Sequence, residues 1–233
     1  MRITRGAMIL LFAEIGMTLV WLLSPVETRK VMDEWLRPSY DTVFEHGRVW
    51  TLVTGSFIEA SFLGIILHAI MLSGFAPTLE RFWGTTRFLR FAAITQLLGA
   101  LACAAMGFAT GVSVFVDGLS PFTWALVVAF GIIYARQPVQ VWGVLPLTGR
   151  QMMFGFMAFL GLMVLLGQQW NSGASWGAAM LAAAIMVSKR WSPGLAWKRW
   201  RIARARRKLT VMQGGVPSAT ARKPKRDDQR FIN

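Results

Sequence analysis

Six long apolar blocks constrain this chain more than any other feature. They lie at about residues 7–23, 57–76, 88–109, 119–135, 151–168 and 171–188, and charged or Pro/Gly-rich stretches separate them. Such blocks approach the ~17 to 25 residues that a helix needs to cross a bilayer. Backbone in hydrocarbon must satisfy its own hydrogen bonds, so each block is restricted to helix. The sequence therefore predicts an all-α membrane protein built as a six-transmembrane-helix bundle. The fourth and sixth blocks are short, which suits the middle of a bundle better than a lipid-facing position. A soluble domain is excluded, because 55% of the residues are hydrophobic and only 15% are charged, against roughly 25% charged in soluble proteins. The first block follows Arg2 and Arg5 as a signal peptide would, but no A-x-A pattern follows Leu23. It reads as a retained helix.

The formal charge of +14 is concentrated at one end. Fourteen of the 25 basic residues lie from Lys189 onward, against two acids, Asp227 and Asp228. A near-neutral membrane body of residues 1–188 thus precedes a basic tail. Basic flanks stay on the cytoplasmic side. The N-terminus, the second loop (Arg81, Arg87), the fourth loop (Arg136, Arg150) and the tail are basic, whereas 110–118 and 168–171 contain no Lys or Arg. Both termini are expected to be cytoplasmic, and the lack of a eukaryotic targeting signal points to a bacterial inner membrane. Cys103 is the single cysteine, which excludes an intrachain disulfide and a thiolate zinc site.

Loop one mixes four basic and five acidic residues with Met32, Trp35 and Leu36, the pattern of an amphipathic helix lying at the interface. Small residues form two faces suited to close helix contact, Gly99, Ala100, Cys103 and Ala104 on the third span and Gly173, Gly177, Ala178 and Ala182 on the sixth. Leu195, Ile202 and Leu209 recur at heptad spacing among Arg and Lys, with Trp191, Trp197 and Trp200 as interface anchors. Residues 189–212 thus read as a basic juxtamembrane helix on anionic lipid headgroups. An Arg-rich strip also permits nucleic-acid or ribosome contact, but its position directly after a span favours lipid. Residues 213–233, rich in Gly, Pro, Ser and charge, are expected to be disordered.

The stretch Gly47-Arg-Val-Trp50-Thr51-Leu52-Val-Thr54-Gly-Ser-Phe57-Ile-Glu59, followed by Glu80-Arg-Phe-Trp-Gly84 and by Gly118-Leu119-Ser120, resembles the rhomboid family of intramembrane serine proteases. Its frame there is G-x-x-W-R-L-x-T-x-x-F-x-H, then H-x-x-x-N, E-x-x-x-G and G-x-S-G. The resemblance covers roughly residues 45–188 and implies a Ser nucleophile at 120, a base on the sixth span, and oxyanion partners on the second. The departures decide the chemistry. Ser175, in Ala174-Ser175-Trp176-Gly177, stands where the family has its catalytic His. His68 stands at the Asn position, Gly64 at the neighbouring His, and Glu59 replaces an earlier His. Thr51 replaces an Arg, and Pro121 replaces a Gly and suits the first position of a helix. A serine without a positioned base is a poor nucleophile. The resemblance therefore implies a pseudoprotease akin to the inactive rhomboid relatives, the iRhoms and derlins, which bind transmembrane segments of client proteins. Two alternatives stay open: an active serine endopeptidase using Ser120 with His68, and a membrane anchor acting through its basic tail.

Each polar group in or beside a span has a structural expectation, because an intramembrane ionisable group costs about 2.5 to 3.5 kcal/mol and turns inward. Glu14 is expected to pair with a polar group such as Gln96 or to snorkel, and Glu59 to be solvated near the outer interface. His68 is expected to bond Ser120 or nearby backbone and hold a cavity together. That cavity would take in Glu59, Gly64, His68, Ser120 and Ser175. Glu80 opens the second cytoplasmic loop and, by resemblance, makes a structural tie there, with Gly47, Trp50, Gly84, Gly118 and Gly177 as structural positions. The expected partners are the bilayer, transmembrane clients and anionic headgroups, with no cofactor and no metal.

Overall fold

The computed structural model describes residues 3–141, 145–188, 200–202 and 204. The first of two compact units, residues 1–192, is helical. Each of the six apolar blocks holds a long helix: α1 (Arg5–Leu23), α4 (Phe62–Trp83), α5 (Thr85–Thr110), α6 (Ser120–Ile133), α7 (Gly149–Gly167) and α8 (Trp170–Val187). Between α1 and α4 lie α2 (Val26–Leu36) and the single turn α3 (Thr51–Thr54). Among the described residues, four helices, α1, α4, α5 and α7, are long and apolar enough to cross a membrane. The chain is accordingly a multi-pass membrane protein.

The second long helix sits later in the sequence than its apolar block. Ser61 caps its start by accepting from the Gly64 backbone N–H. The apolar residues before it are spent on a loop: Ile58 is fully buried, and its carbonyl accepts from Gly118 N at 2.9 Å. At the far end the helix runs through buried Pro77 and stops at Gly84, whose φ of +80° ends it. Ser120, not Pro121, is the first residue of α6.

Helix α6 is the buried one. Every residue from Pro121 to Gly131 is buried, as expected of a helix that is hydrophobic on all sides. Its shortness follows, since it is covered by its neighbours. Phe88 and Phe91 of α5 meet Phe122 of α6 edge-on at 5.7 and 6.1 Å. Close approach depends on Gly99, where a Cβ would fall 2.5 Å from Pro121 Cβ and 3.1 Å from the Ser175 carbonyl. The small face on α8 is divided. A Cβ at Gly173 would strike Val164 of α7, whereas one at Gly177 would meet nothing within 4 Å. Space is therefore open for a side chain at Gly177.

A hairpin, β1 (Pro138–Val141) paired antiparallel with β2 (Leu145–Thr148), links α6 to α7. The apolar pattern predicts only a loop between these two helices. Thr148 then caps α7 in a reciprocal capping box with Gln151. Helix α2 forms in loop one as expected, and Trp35 near its end stacks on Trp50 at 6.2 Å. In the second unit, residues 193–233, Trp200–Ile202 and Arg204 are helical, and the Arg204 guanidinium lies 4.6 Å from the Trp200 ring centre. Trp191, Trp197, the remainder of the helix expected over 189–212 and the tail 213–233 lie outside the described residues.

Candidate functional site

The site is organised around the start of α6. The first N–H groups of a helix have no partner inside it, and here buried side chains from two other helices supply acceptors. Leu119 N donates to Glu14 Oε1 of α1 at 3.0 Å, and Phe122 N donates to Gln96 Oε1 of α5 at 3.2 Å. The Gln96 amide also donates to the Gly118 carbonyl at 2.8 Å. Gly118 takes a φ of +43°, and a Cβ there would overlap Glu14 Oε1 and lie 2.9 Å from Glu59 Oε2. Backbone and space both require glycine at this turn. Glu14 and Gln96 thus serve the same helix end without bonding each other, which corrects the expected Glu14–Gln96 pair.

In front of that helix end lies a cavity of about 450 Å³, and Glu59, Gly64, His68, Ser120 and Ser175 all line it. The Ser120 hydroxyl accepts from Trp176 Nε1 at 3.4 Å. Ser175 is buried, and its hydroxyl has no partner among the described residues. His68 Nδ1–H donates to Glu14 Oε1 at 2.6 Å. The expected bond from His68 to Ser120 or nearby backbone is therefore replaced by one to a carboxylate 54 residues earlier in the chain. Among the described residues, no His, Asp or Glu side chain is hydrogen-bonded to the Ser120 hydroxyl.

Glu59 departs furthest from expectation, being only 4% exposed instead of solvated. The loop that carries it is fixed by Thr18, whose hydroxyl accepts from Glu59 N at 2.9 Å. Its Oε1 accepts from Ser61 N at 3.0 Å, and its Oε2 stands 3.8 Å from His68 Nδ1. Burial pushes the Glu59 carboxyl up to about 7, with the nearby Asp117 charge adding to the rise. A Cβ at Gly64 would lie 2.5 Å from Glu59 Oε1. The carboxylate thus fills the space that a side chain at 64 would need.

Glu80 lies in the last turn of α4 rather than in the following loop. Its carboxylate accepts from Gly6 N at 2.9 Å, Ala7 N at 3.1 Å, Thr85 Oγ1 at 2.7 Å and Thr4 Oγ1. One side chain therefore caps α1 and ties it to the start of α5. Gly47, Trp50 and Gly84 do not line the cavity. Gly47 (φ +66°) and Gly84 (φ +80°) make turns, and Trp50 Nε1 donates to the Trp35 carbonyl at 3.0 Å.

Two polar ties escaped the sequence reading. Arg37 is buried between Asp33, at 3.3 Å, and Asp117, over the Phe115 ring at 4.9 Å. It fastens loop one to the segment that enters α6. Asn171 Nδ2 donates to the Val112 carbonyl at 2.9 Å, so α8 holds the other end of that segment. Arg37 sits among many loop-one charges, and nothing in its neighbours distinguishes it.

Residues 9–188 match the model of a family described as a eukaryotic integral membrane protein family. No curated protein matches the sequence. The family description overturns the expectation of a bacterial inner membrane, which rested on the lack of a targeting signal; integral membrane placement stands.

Proposed function

The chain belongs to the eukaryotic integral membrane protein family (DUF1751) whose pattern runs through residues 9–188, and from that premise we propose that it is a rhomboid-like pseudoprotease that binds transmembrane segments of client proteins. In this reading all six long helices cross the bilayer, with α6 and α8 sheltered by the others, and α2 lies at the interface. The observation that carries it is the environment of Ser120. Its hydroxyl bonds Trp176, Ser175 occupies the position that resembles the family's base, and the His68 Nδ1 proton is given to Glu14. Members of a catalytic triad act as a unit, and losing the base removes several orders of magnitude in rate. What remains is a cavity with polar groups at its inner end and apolar walls such as Leu63, Leu67 and Met163. Such a cavity suits an apolar helix carrying a polar side chain.

One feature favours the second reading, an altered-dyad endopeptidase. His68 lines the same cavity as Ser120 and is oriented by a carboxylate, the arrangement that prepares an imidazole to act as a base. A single preparation tests both readings. The full chain is reconstituted in liposomes with a single-span model peptide and carries a photocrosslinker at Leu63 or, as a control, at exposed Phe12. It is also treated with a serine-reactive fluorophosphonate. Crosslinking confined to position 63, with no fluorophosphonate labelling, supports the pseudoprotease. Labelling that disappears in both Ser120→Ala and His68→Ala overturns it in favour of the endopeptidase. Deleting residues 195–233 leaves the crosslink intact unless the protein works through its tail.

A further inference from the structure

We propose that Glu14, Glu59 and His68 form a binding site for one divalent transition-metal ion of the zinc type. The three side chains come from α1, the loop before α4, and α4, and all are buried. Their ligand atoms lie within 4.8 Å of one another. Atoms bound to one tetrahedral zinc are ~3.3 to 3.5 Å apart. The present separations from His68 Nδ1, 2.6 Å to Glu14 Oε1 and 3.8 Å to Glu59 Oε2, bracket that spacing. Shifts of ~0.7 Å and ~0.3 Å bring these two separations to it.

The hydrogen-bond accounting suits a bound cation. The two carboxylates have four oxygens. Leu119 N and His68 Nδ1 both donate to Glu14 Oε1, and Ser61 N donates to Glu59 Oε1. Glu14 Oε2 is fully buried with no donor, and Glu59 Oε2 has no hydrogen bond among the described residues. A buried carboxylate oxygen without a donor is costly. Metal ligands bind deprotonated, so in the bound state two carboxylates and a neutral imidazole would present a charge of minus two, which one divalent ion cancels. The glycines at 64 and 118 clear the walls on both sides, since a Cβ at either would collide with these carboxylates. One imidazole and two carboxylates suit zinc-type ions, whereas magnesium prefers oxygen ligands and retains its water. Three protein ligands leave a fourth position free for water or a ligand atom. The metal would join α1 to α4 beside Ser120, independently of whether clients bind.

The test uses the full chain in detergent, stripped with a chelator and dialysed against Zn²⁺, with bound metal measured by mass spectrometry. One Zn²⁺ per chain is expected, together with a rise in the unfolding temperature that Mg²⁺ does not produce. Glu14→Gln and Glu59→Gln should each weaken binding at least about 10-fold. Glutamine at 14 still offers Leu119 N an acceptor, so the metal-free variants should unfold near the wild-type temperature. His46→Ala, at the exposed second histidine, should bind like wild type. Co²⁺ in the wild-type protein should give the intense visible bands of a tetrahedral site, a readout that does not depend on any variant folding. No uptake, uptake unchanged in the two glutamine variants, or weak octahedral Co²⁺ bands overturns the site. In any of these outcomes the three groups share protons, not a metal.

Discussion

Replacing Glu80 with Ala removes the acceptor for two backbone N–H groups at the start of α1, those of Gly6 and Ala7. Both residues are buried, so their N–H groups lose a charged partner with little compensation from protein. An unsatisfied buried donor costs about 1 to 3 kcal/mol, which puts two at about 2 to 6 kcal/mol. A surface recess lined by Thr4, Glu80, Arg81 and Thr85 gives water partial access and moves the expected loss to the lower half of that range, about 3 kcal/mol. The loss of the Thr4 and Thr85 hydroxyl bonds adds less, because both residues are only partly buried and can turn to water. At about 2 to 4 °C per kcal/mol for a chain of this size, the unfolding temperature should fall by ~6 to 12 °C. Cys103, the single cysteine and a buried one, provides the assay, since a thiol-reactive dye reports its exposure on heating. Glu80→Gln keeps one carbonyl acceptor and should lose less. A fall of under ~2 °C in Glu80→Ala would mean that the cap contributes little and that α1 is held by apolar contact alone.

The same assay checks four further substitutions. Gly64→His places a Cβ 2.5 Å from Glu59 Oε1 and should cost about 1 to 3 kcal/mol by overpacking, with most of the loss recovered when Glu59→Ala is added. Gly118→Ala combines a positive φ with overlap on Glu14 and should cost about 2 to 4 kcal/mol. Gly177→Ala, in open space on a helix, should be neutral or stabilise by ~0.5 to 1 kcal/mol. Arg37→Met leaves Asp33 and Asp117 without their cation. Because the Asp117 side chain is half exposed, the loss should be about 1 to 3 kcal/mol rather than that of a fully buried pair, and Asp117→Asn in the same chain should reduce it.

The long helices were legible because lipid-facing sequence must be apolar over a whole bilayer thickness, and the apolar windows of α1 and α7 are only 22% buried inside the protein. Their ends were less legible. Residues 57–60 are as apolar as a span, but Ile58 spends that character inside the protein. The hairpin at 138–148 was missed because four-residue strands carry too little alternation to stand out from a loop. The cavity is a different case. The rhomboid resemblance picked out Glu59, Gly64, His68, Ser120 and Ser175, and the fold gathers all five. It did not indicate their bonds, because Glu14 lies outside the motif region and its role depends on a partner 105 residues away. Glu59 illustrates the same limit. Its charge suggests solvent, and only the glycines at 64 and 118 make room for it inside.

The bond between Glu14 and Leu119 also has a consequence in time. The first helix leaves the ribosome with a carboxyl group on its apolar surface, and the backbone group that will receive it has not yet been made. At about 5 to 20 residues per second, the 105 intervening residues take roughly 5 to 20 s to appear. Through that interval the first helix must be sheltered by insertion machinery or left at the membrane edge, and its final seat is available only after the fourth long helix begins to emerge. Assembly of this protein is therefore obliged to wait for its own middle.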